Sequence, residues 1–265
     1  RGARRARPGR AASPRPAGAV RPGGRAGAAR GGWVVRAGPP TPAQEGGRPG
    51  HAHLGVPRSG ALDGPAAALV NRLVGNPRGA AVLETTVNGC ALRPRSTVTV
   101  AVGGAPCPVT VNGRPAAWGA PVRVPAGALV EIGTAVSGVR GYVAVSGGIA
   151  VDPVLGSRST DLLSGLGPPP LVDGTVLPLG APSSVHARVD AAPQPSPPAE
   201  LVLRVTLGPR DDWFTPAALP TFTSRVYRVS PAGNRIGLRT EGPALDRARP
   251  GELPSEGMVL GAVQV

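Results

Sequence analysis

The chain has 265 residues, of which 41% are hydrophobic and only 3% aromatic, and Gly (40) and Pro (34) together make up more than a quarter of it. That apolar share is too high for a wholly disordered chain, and the Gly/Pro load excludes a mostly helical one, because an interior Gly costs about 1 kcal/mol and an interior Pro about 3. The formal net charge is +14, every basic residue is Arg, and no apolar run approaches the roughly 18 residues of a membrane-spanning helix.

Positions 1–32 carry nine Arg and no acid, without apolar periodicity, and are expected to form a disordered tail. A nucleic-acid arm held by counterion release would use the same charge, but no aromatic residues are interleaved to stack on bases, so nucleic acid is not expected as a partner. The tail has no apolar core of the signal-peptide kind, which points to a cytoplasmic setting. With two Cys and three His, neither a disulfide scaffold nor a closed zinc site is expected. The absence of Lys excludes a Lys Schiff base, the Lys-containing phosphate loop and covalently attached biotin.

Ordered structure is predicted from Trp33, where Trp-Val-Val-Arg reads as a short strand. A Gly/Pro-rich loop from Gly46 to Gly64 precedes one helix. Pro65 suits its first turn, Asp63 its cap, and Ala66, Leu69, Val70 and Leu73 fall at i, i+3, i+4 and i+7. Gly75 and Asn76-Pro77 end it. From 80 to 180 the period becomes two: AAVLETTV, STVTVAVG, CPVTVNG, APVRVPAG, ALVEIG, RGYVAVSGG and TVLPLG are candidate strands, separated by turn dipeptides such as Asn112-Gly113 and Asp173-Gly174. Such spacing indicates a sandwich or barrel. The segment from Asp152 to Gly174 is long and Gly-rich and is expected to be a surface loop with its own short helical turn. Residues 190–200 read as a Pro-rich linker, so that 33–189 form a first domain. Strand-like sequence resumes with LVLRVTLG at 201, and positions 201–265 are expected to begin a second β domain, truncated where the chain stops inside an apolar run.

Six segments occur in a fixed order: GRPGHAHLGVPRSGALD, NRLVGNP, VLGSRSTDLLSGLG, GPRDDWF, SPAGNRIGLRTEGPAL and ELPSEGMVLGAVQV. Over positions 33–265 the chain thereby resembles the biotin-dependent carboxyltransferase family that includes the C subunit of the prokaryotic 5-oxoprolinase, also called the allophanate hydrolase subunit 2 or kinase-inhibitor-antagonist family. It departs from the family at Glu45-Gly46, usually Asp-Leu, and at Gly233, usually Ser. The resemblance implies a mainly β protein built of cyclophilin-like β-barrels, here with one short N-terminal helix, long Gly/Pro-rich loops and a truncated second barrel. It implies a subunit of an ATP-dependent 5-oxoprolinase that opens the 5-oxoproline lactam to glutamate. A B-type protein of the 5-oxoprolinase, and an A-type protein with it, are the implied partners, and a small anionic amide the substrate. The alternatives are the carboxyltransferase component of a urea or amide carboxylase and a non-catalytic regulator that binds a kinase-inhibitor-type partner. ATP is implied by the resemblance alone.

Opening an unstrained lactam, like carboxyl transfer from biotin, needs donors at a developing oxyanion, a base, and cations for an anionic group. PRSGALD offers Arg58 for the substrate and Ser59 and Asp63 for catalysis, against the plain reading of a turn with Asp63 as a cap. GSRSTD offers Arg158 and Ser159 for binding and Asp161 as a base, against an Arg158–Asp161 pair that merely shapes the loop. GNRIG offers Asn234 and Arg235, with Glu256 downstream, for substrate binding. His53 is the candidate general base at neutral pH. Cys90 and Cys107 are expected to be small core residues.

Overall fold

The computed structural model describes residues 31–38, 40–182, 191–193, 198, 200 and 202–265. The Arg-rich tail lies outside them except for Gly31 and Gly32, and most of the Pro-rich linker lies outside them as well. The chain separates into two compact units, Arg1–Pro197 and Pro198–Val265.

The first unit runs β1 (Gly31–Arg36), β2 (Ala43–Gln44), a 3-10 turn (Ala52–Leu54), α1 (Gly64–Leu73), β3 (Val82–Thr86), β4 (Cys90–Pro94), β5 (Val98–Gly104), β6 (Val109–Val111), β7 (Arg114–Ala116), β8 (Pro121–Val124), β9 (Val130–Ile132), β10 (Arg140–Val145) and β11 (Val176–Pro178). One sheet has the order β11-β1-β4-β9-β6-β7 and a second the order β2-β3-β10-β5-β8. Every pairing is antiparallel. All seven predicted strand segments contain a strand, as does the Trp33 segment. Three strands were not foreseen. β2 is two residues long, β7 is a three-residue, mostly exposed hairpin arm, and β4 carries Arg93 and Pro94 where alternation would be sought. The Asn112-Gly113 turn joins β6 to β7 with both residues at positive φ (50° and 75°), which two-residue hairpins of this hand demand.

Period-two alternation builds the layers. Val143 and Val145 of β10, Val100 and Val102 of β5 and Leu83 of β3 join Leu92, Val109, Val130, Ile132 and Leu177 of the six-stranded sheet in one core. The intervening Tyr142, Ala144, Ala101 and Val82 face the other way and pack with Ala67, Val70 and Leu73 of α1. The buried face of the helix differs slightly from the predicted one: Ala67 and Asn71 are buried, while Ala66 and Leu69 are only partly so. Asn71 hid this face from hydropathy. Its amide donates to the Ala80 carbonyl at 2.8 Å, so a polar residue sits in the core-facing stripe at no cost in unmet hydrogen bonds. Asp63 caps α1 as expected, accepting from the Ala66 N–H at 3.0 Å.

The second unit holds a 3-10 turn (Asp211–Trp213), α2 (Ala218–Ser224) and a two-stranded ribbon of β12 (Arg228–Val229) and β13 (Thr240–Glu241). The strand expected from LVLRVTLG is absent among its described residues. Val202, Leu203, Val205 and Leu207 are all exposed, with no ladder partner to receive them. The protein is mainly β, with two α-helices among the described residues. None of the helices is long and apolar enough to cross a membrane, among the described residues.

Candidate functional site

Three loops of the first unit meet at Arg48. The 45–48 segment lies against 58–61: Arg48 N–H donates to the Arg58 carbonyl and Ala61 N–H to the Glu45 carbonyl, both at 2.7 Å. The approach is too close for a side chain, since a Cβ on Gly47 (φ 82°) would stand 2.4 Å from the Arg58 oxygen. The third loop is the long one after β10. Thr160 N–H donates to the Ala43 carbonyl (2.9 Å), Gln44 Nε2 to the Thr160 carbonyl (2.9 Å), Glu45 N–H to Ser159 Oγ (3.1 Å) and Arg158 N–H to Glu45 Oε1 (2.7 Å). The loop is largely at the surface as expected, but its centre is interior: Ser157, Ser159, Thr160 and Asp161 are buried. The expected helical turn is a single one, closed by Gly165 N–H on the Asp161 carbonyl at 3.0 Å.

Arg48 is 1% exposed and binds no carboxylate among the described residues. Its Nη1 donates to Ser59 Oγ (3.2 Å), Nε to the Val154 carbonyl (3.4 Å) and Nη2 to the Ser159 carbonyl. One fully buried guanidinium thus ties the PRSG turn to the GSRSTD loop through neutral oxygens. Ser59 stands in the left-handed region (φ 53°), a conformation costing a non-glycine residue about 1 kcal/mol. Sequence reasoning passed over Arg48, Gln44 and Glu45. The closely spaced glycines at 46 and 47 were the available signal that backbones meet there.

Asp161 Oδ1 accepts from the N–H groups of Leu163 (2.8 Å) and Ser164 (3.4 Å), and Arg158 forms no ion pair with it. Burial pushes its carboxyl up, but the Leu163 N–H, the Ser164 hydroxyl and N–H, and the Ser59 hydroxyl outweigh burial and hold it below the usual carboxylate range. The Ser59 influence acts at longer range, because Oδ2 itself is buried and accepts no hydrogen bond. Asp63 is engaged as the helix cap, and its N–H donates to Tyr142 Oη at 2.7 Å. Tyr142 in turn donates to the buried Glu84 at 3.1 Å, which anchors this end of the PRSGALD loop on the five-stranded sheet. His53 and Arg58 are exposed, with no side-chain hydrogen bond among the described residues.

Arg158 points elsewhere. Its side chain lines a cleft of about 630 Å³ walled by Gly79, Ala80, Gly147, Gly148 and Gly180, and Nε donates to the Val151 carbonyl at 2.8 Å. In the second unit Asn234 Oδ1 accepts from the Ile236 and Gly237 N–H groups (2.8 and 3.1 Å), which closes the GNRIG turn. Arg235 of the same turn is half-buried, and Glu256 pairs with Arg210 at the surface. The structure thus brings Ser59 and Ser159 to Arg48, turns Asp161 onto the N–H groups that follow it, and places Arg158 on the cleft. Burial pushes the thiols of Cys90 and Cys107 up to about 12 and about 11, so both are protonated at neutral pH and serve the core.

Asp161 makes the stability of the first unit depend on pH. Its folded pKa is depressed, so its contribution to stability is present above the ordinary carboxylate pKa of about 4 and lost as pH falls through the folded value. Asp161→Asn is expected to be less stable than the parent chain at pH 7, with the difference shrinking steadily below about pH 4. Urea melts across that range measure it, and a pH-independent difference would refute the assignment.

Residues 54–265 match the family model described as carboxyltransferase domain, subdomain A and B. The chain is 34% identical over 239 residues to the 5-oxoprolinase C subunit of Escherichia coli, which covers 88% of this chain and 75% of that protein. It is 34% identical over 225 residues to urea amidolyase of Lachancea kluyveri, covering 77% of this chain but only 12% of that one. Among solved structures, that of TTHA0988 superposes with a TM-score of 0.79 at 36% identity, over 90% of this chain and 47% of the other. The Kluyveromyces lactis urea carboxylase superposes with a TM-score of 0.70 at 33% identity, over 83% and 21%.

Proposed function

Because the chain belongs to the carboxyltransferase domain family, subdomain A and B, we propose that it serves as a C-type subunit of a 5-oxoprolinase, opening the 5-oxoproline lactam to glutamate only together with partner subunits. The observation that carries this is the likeness to the 5-oxoprolinase C subunit of Escherichia coli, which runs through 88% of the chain and most of that protein. A B-type protein, joined by an A-type protein, is the partner, and the cytoplasm the setting.

The residues divide the labour accordingly. ATP activates a lactam by phosphorylating its oxygen, but the donor set here does not suit ATP. Among the described residues the cleft offers one cation, which suits a single anionic group better than a triphosphate. The phosphoryl chemistry is therefore assigned to a partner protein. Asp161, held ionised by its N–H donors, is a weak base at neutral pH. His53, exposed at the surface, is better suited to exchanging a proton across an interface. Ser59 and Ser159 are fixed by Arg48 and Glu45 and serve as neutral polar groups of defined position.

The test is co-expression with the cognate B- and A-type proteins followed by an ATP-dependent glutamate-release assay. Co-purification and turnover by the assembly, with none from the isolated chain, are expected. Robust turnover by the isolated chain, or no association, would sink the reading. The similarity to urea amidolyase and urea carboxylase supports a second reading, carboxyl transfer to urea or another amide from a biotin carried on another chain. Carboxylation of urea by the assembly, in place of glutamate release, would select it.

A further inference from the structure

We propose that the cleft beside the 146–150 turn is a carboxylate-binding subsite in which Arg158 is the recognition residue. The guanidinium is held in place before any ligand arrives. Its main-chain N–H is fixed by Glu45 Oε1 at 2.7 Å and its Nε by the Val151 carbonyl at 2.8 Å, which leaves the paired Nη groups without a partner among the described residues. A half-buried fork with one edge anchored and the other unengaged is the arrangement that a planar carboxylate fills bidentately.

The walls select for size and charge. Gly79, Ala80, Gly147, Gly148, Ala150 and Gly180 leave about 630 Å³ of space, within the range of small-molecule sites. The polar neighbour Asn76 has no amide donors to spare: Nδ2 donates to the Val145 carbonyl (2.9 Å) and Asn71 Oδ1 (3.0 Å), and Oδ1 accepts from Gly147 N–H (2.8 Å). Arg158 is the one charged group lining the cleft among the described residues. The site accordingly fits a compact, otherwise neutral molecule with a single negative charge, and does not fit a polyanion. The inference rests on the reading above only for its choice of probe, 5-oxoproline, whose carboxylate would enter this cleft and leave the lactam to groups supplied around it.

The experiment uses calorimetric titration of the full chain with 5-oxoproline and with its uncharged carboxamide. Saturable binding of the acid and at least tenfold weaker binding of the carboxamide are expected. Arg158→Gln should weaken the acid at least tenfold. Arg123→Gln, at an exposed arginine of β8, should leave binding unchanged. Circular dichroism confirms that each variant is folded. Equal loss in Arg123→Gln, equal binding of the carboxamide, retained affinity in Arg158→Gln, or no binding by the parent chain would each overturn the site. If the assembled enzyme carrying Arg158→Gln releases glutamate with unchanged KM, the site falls while the 5-oxoprolinase reading stands.

Discussion

Arg48→Met is expected to lower stability by about 3 kcal/mol or more, a fall in melting temperature of about 6–12 °C for a folding unit of this size. Methionine fills similar space but donates nothing. The carbonyl of Ser159 and the hydroxyl of Ser59 would lose this donor, and the Val154 carbonyl would keep only the Ser157 N–H, in a region where Arg48 is 1% exposed. Stranding a buried acceptor costs about 1–3 kcal/mol, and two of these three acceptors belong to the long loop after β10. Relief from burying a charge offsets part of this, so the net value is smaller than the sum over the stranded groups. Arg48→Lys keeps the charge but not the fork, and should recover less than half of the loss. Thermal melts of the three proteins decide the point. A change within about 2 °C for Arg48→Met would show that the loops hold together without it.

The larger effect is expected at Gly147. Its φ is 94°, and a Cβ there would stand 2.1 Å from the Gly180 oxygen. The relation is mutual, because a Cβ on Gly180 would stand 2.4 Å from the Gly147 oxygen. Two backbones cross here at a separation only glycine allows, and the crossing forms part of the wall of the cleft. Gly147→Ala adds left-handed strain, about 1–2 kcal/mol, to a clash between main chains that no rotamer can relieve. The expected outcome is a chain that is insoluble or melts more than about 10 °C lower. Gly79→Ala on the facing wall, where a Cβ meets open space, should behave like the parent. If the two variants melt alike, the crossing is looser than described.

What could be read from the sequence was what is local. Asp63 as a cap, Pro65 in the first helical turn and Asn112-Gly113 as a hairpin turn all act on backbone within three residues, so their chemistry is visible in a short window. The strands whose side chains alternate between two buried layers, such as Val143 and Tyr142, were equally plain. β4 was hidden because Arg93 and Pro94 break the pattern. The site was legible by neighbourhood and not by role. Asp161 stands within the named motif, yet its Oδ1 serves its own following N–H groups. Arg48 bridges the loops, and its partners lie at 59, 154 and 159, distances no periodicity reports.

The position of β1 inside its sheet has a consequence for synthesis. Gly32 and Trp33 pair on one side with Pro94 and Arg93 and on the other with Leu177 and Val176, so the two flanks of the strand are supplied at very different times. As the chain leaves the ribosome, β4 arrives early, while β11 follows only after the whole five-stranded sheet has been made. Until then β1 is an open edge with unpaired main-chain groups, free to recruit a strand from a neighbouring nascent chain. Closure of this long-range pair comes late in synthesis, and dilution or a slower supply of chains is expected to raise the soluble yield.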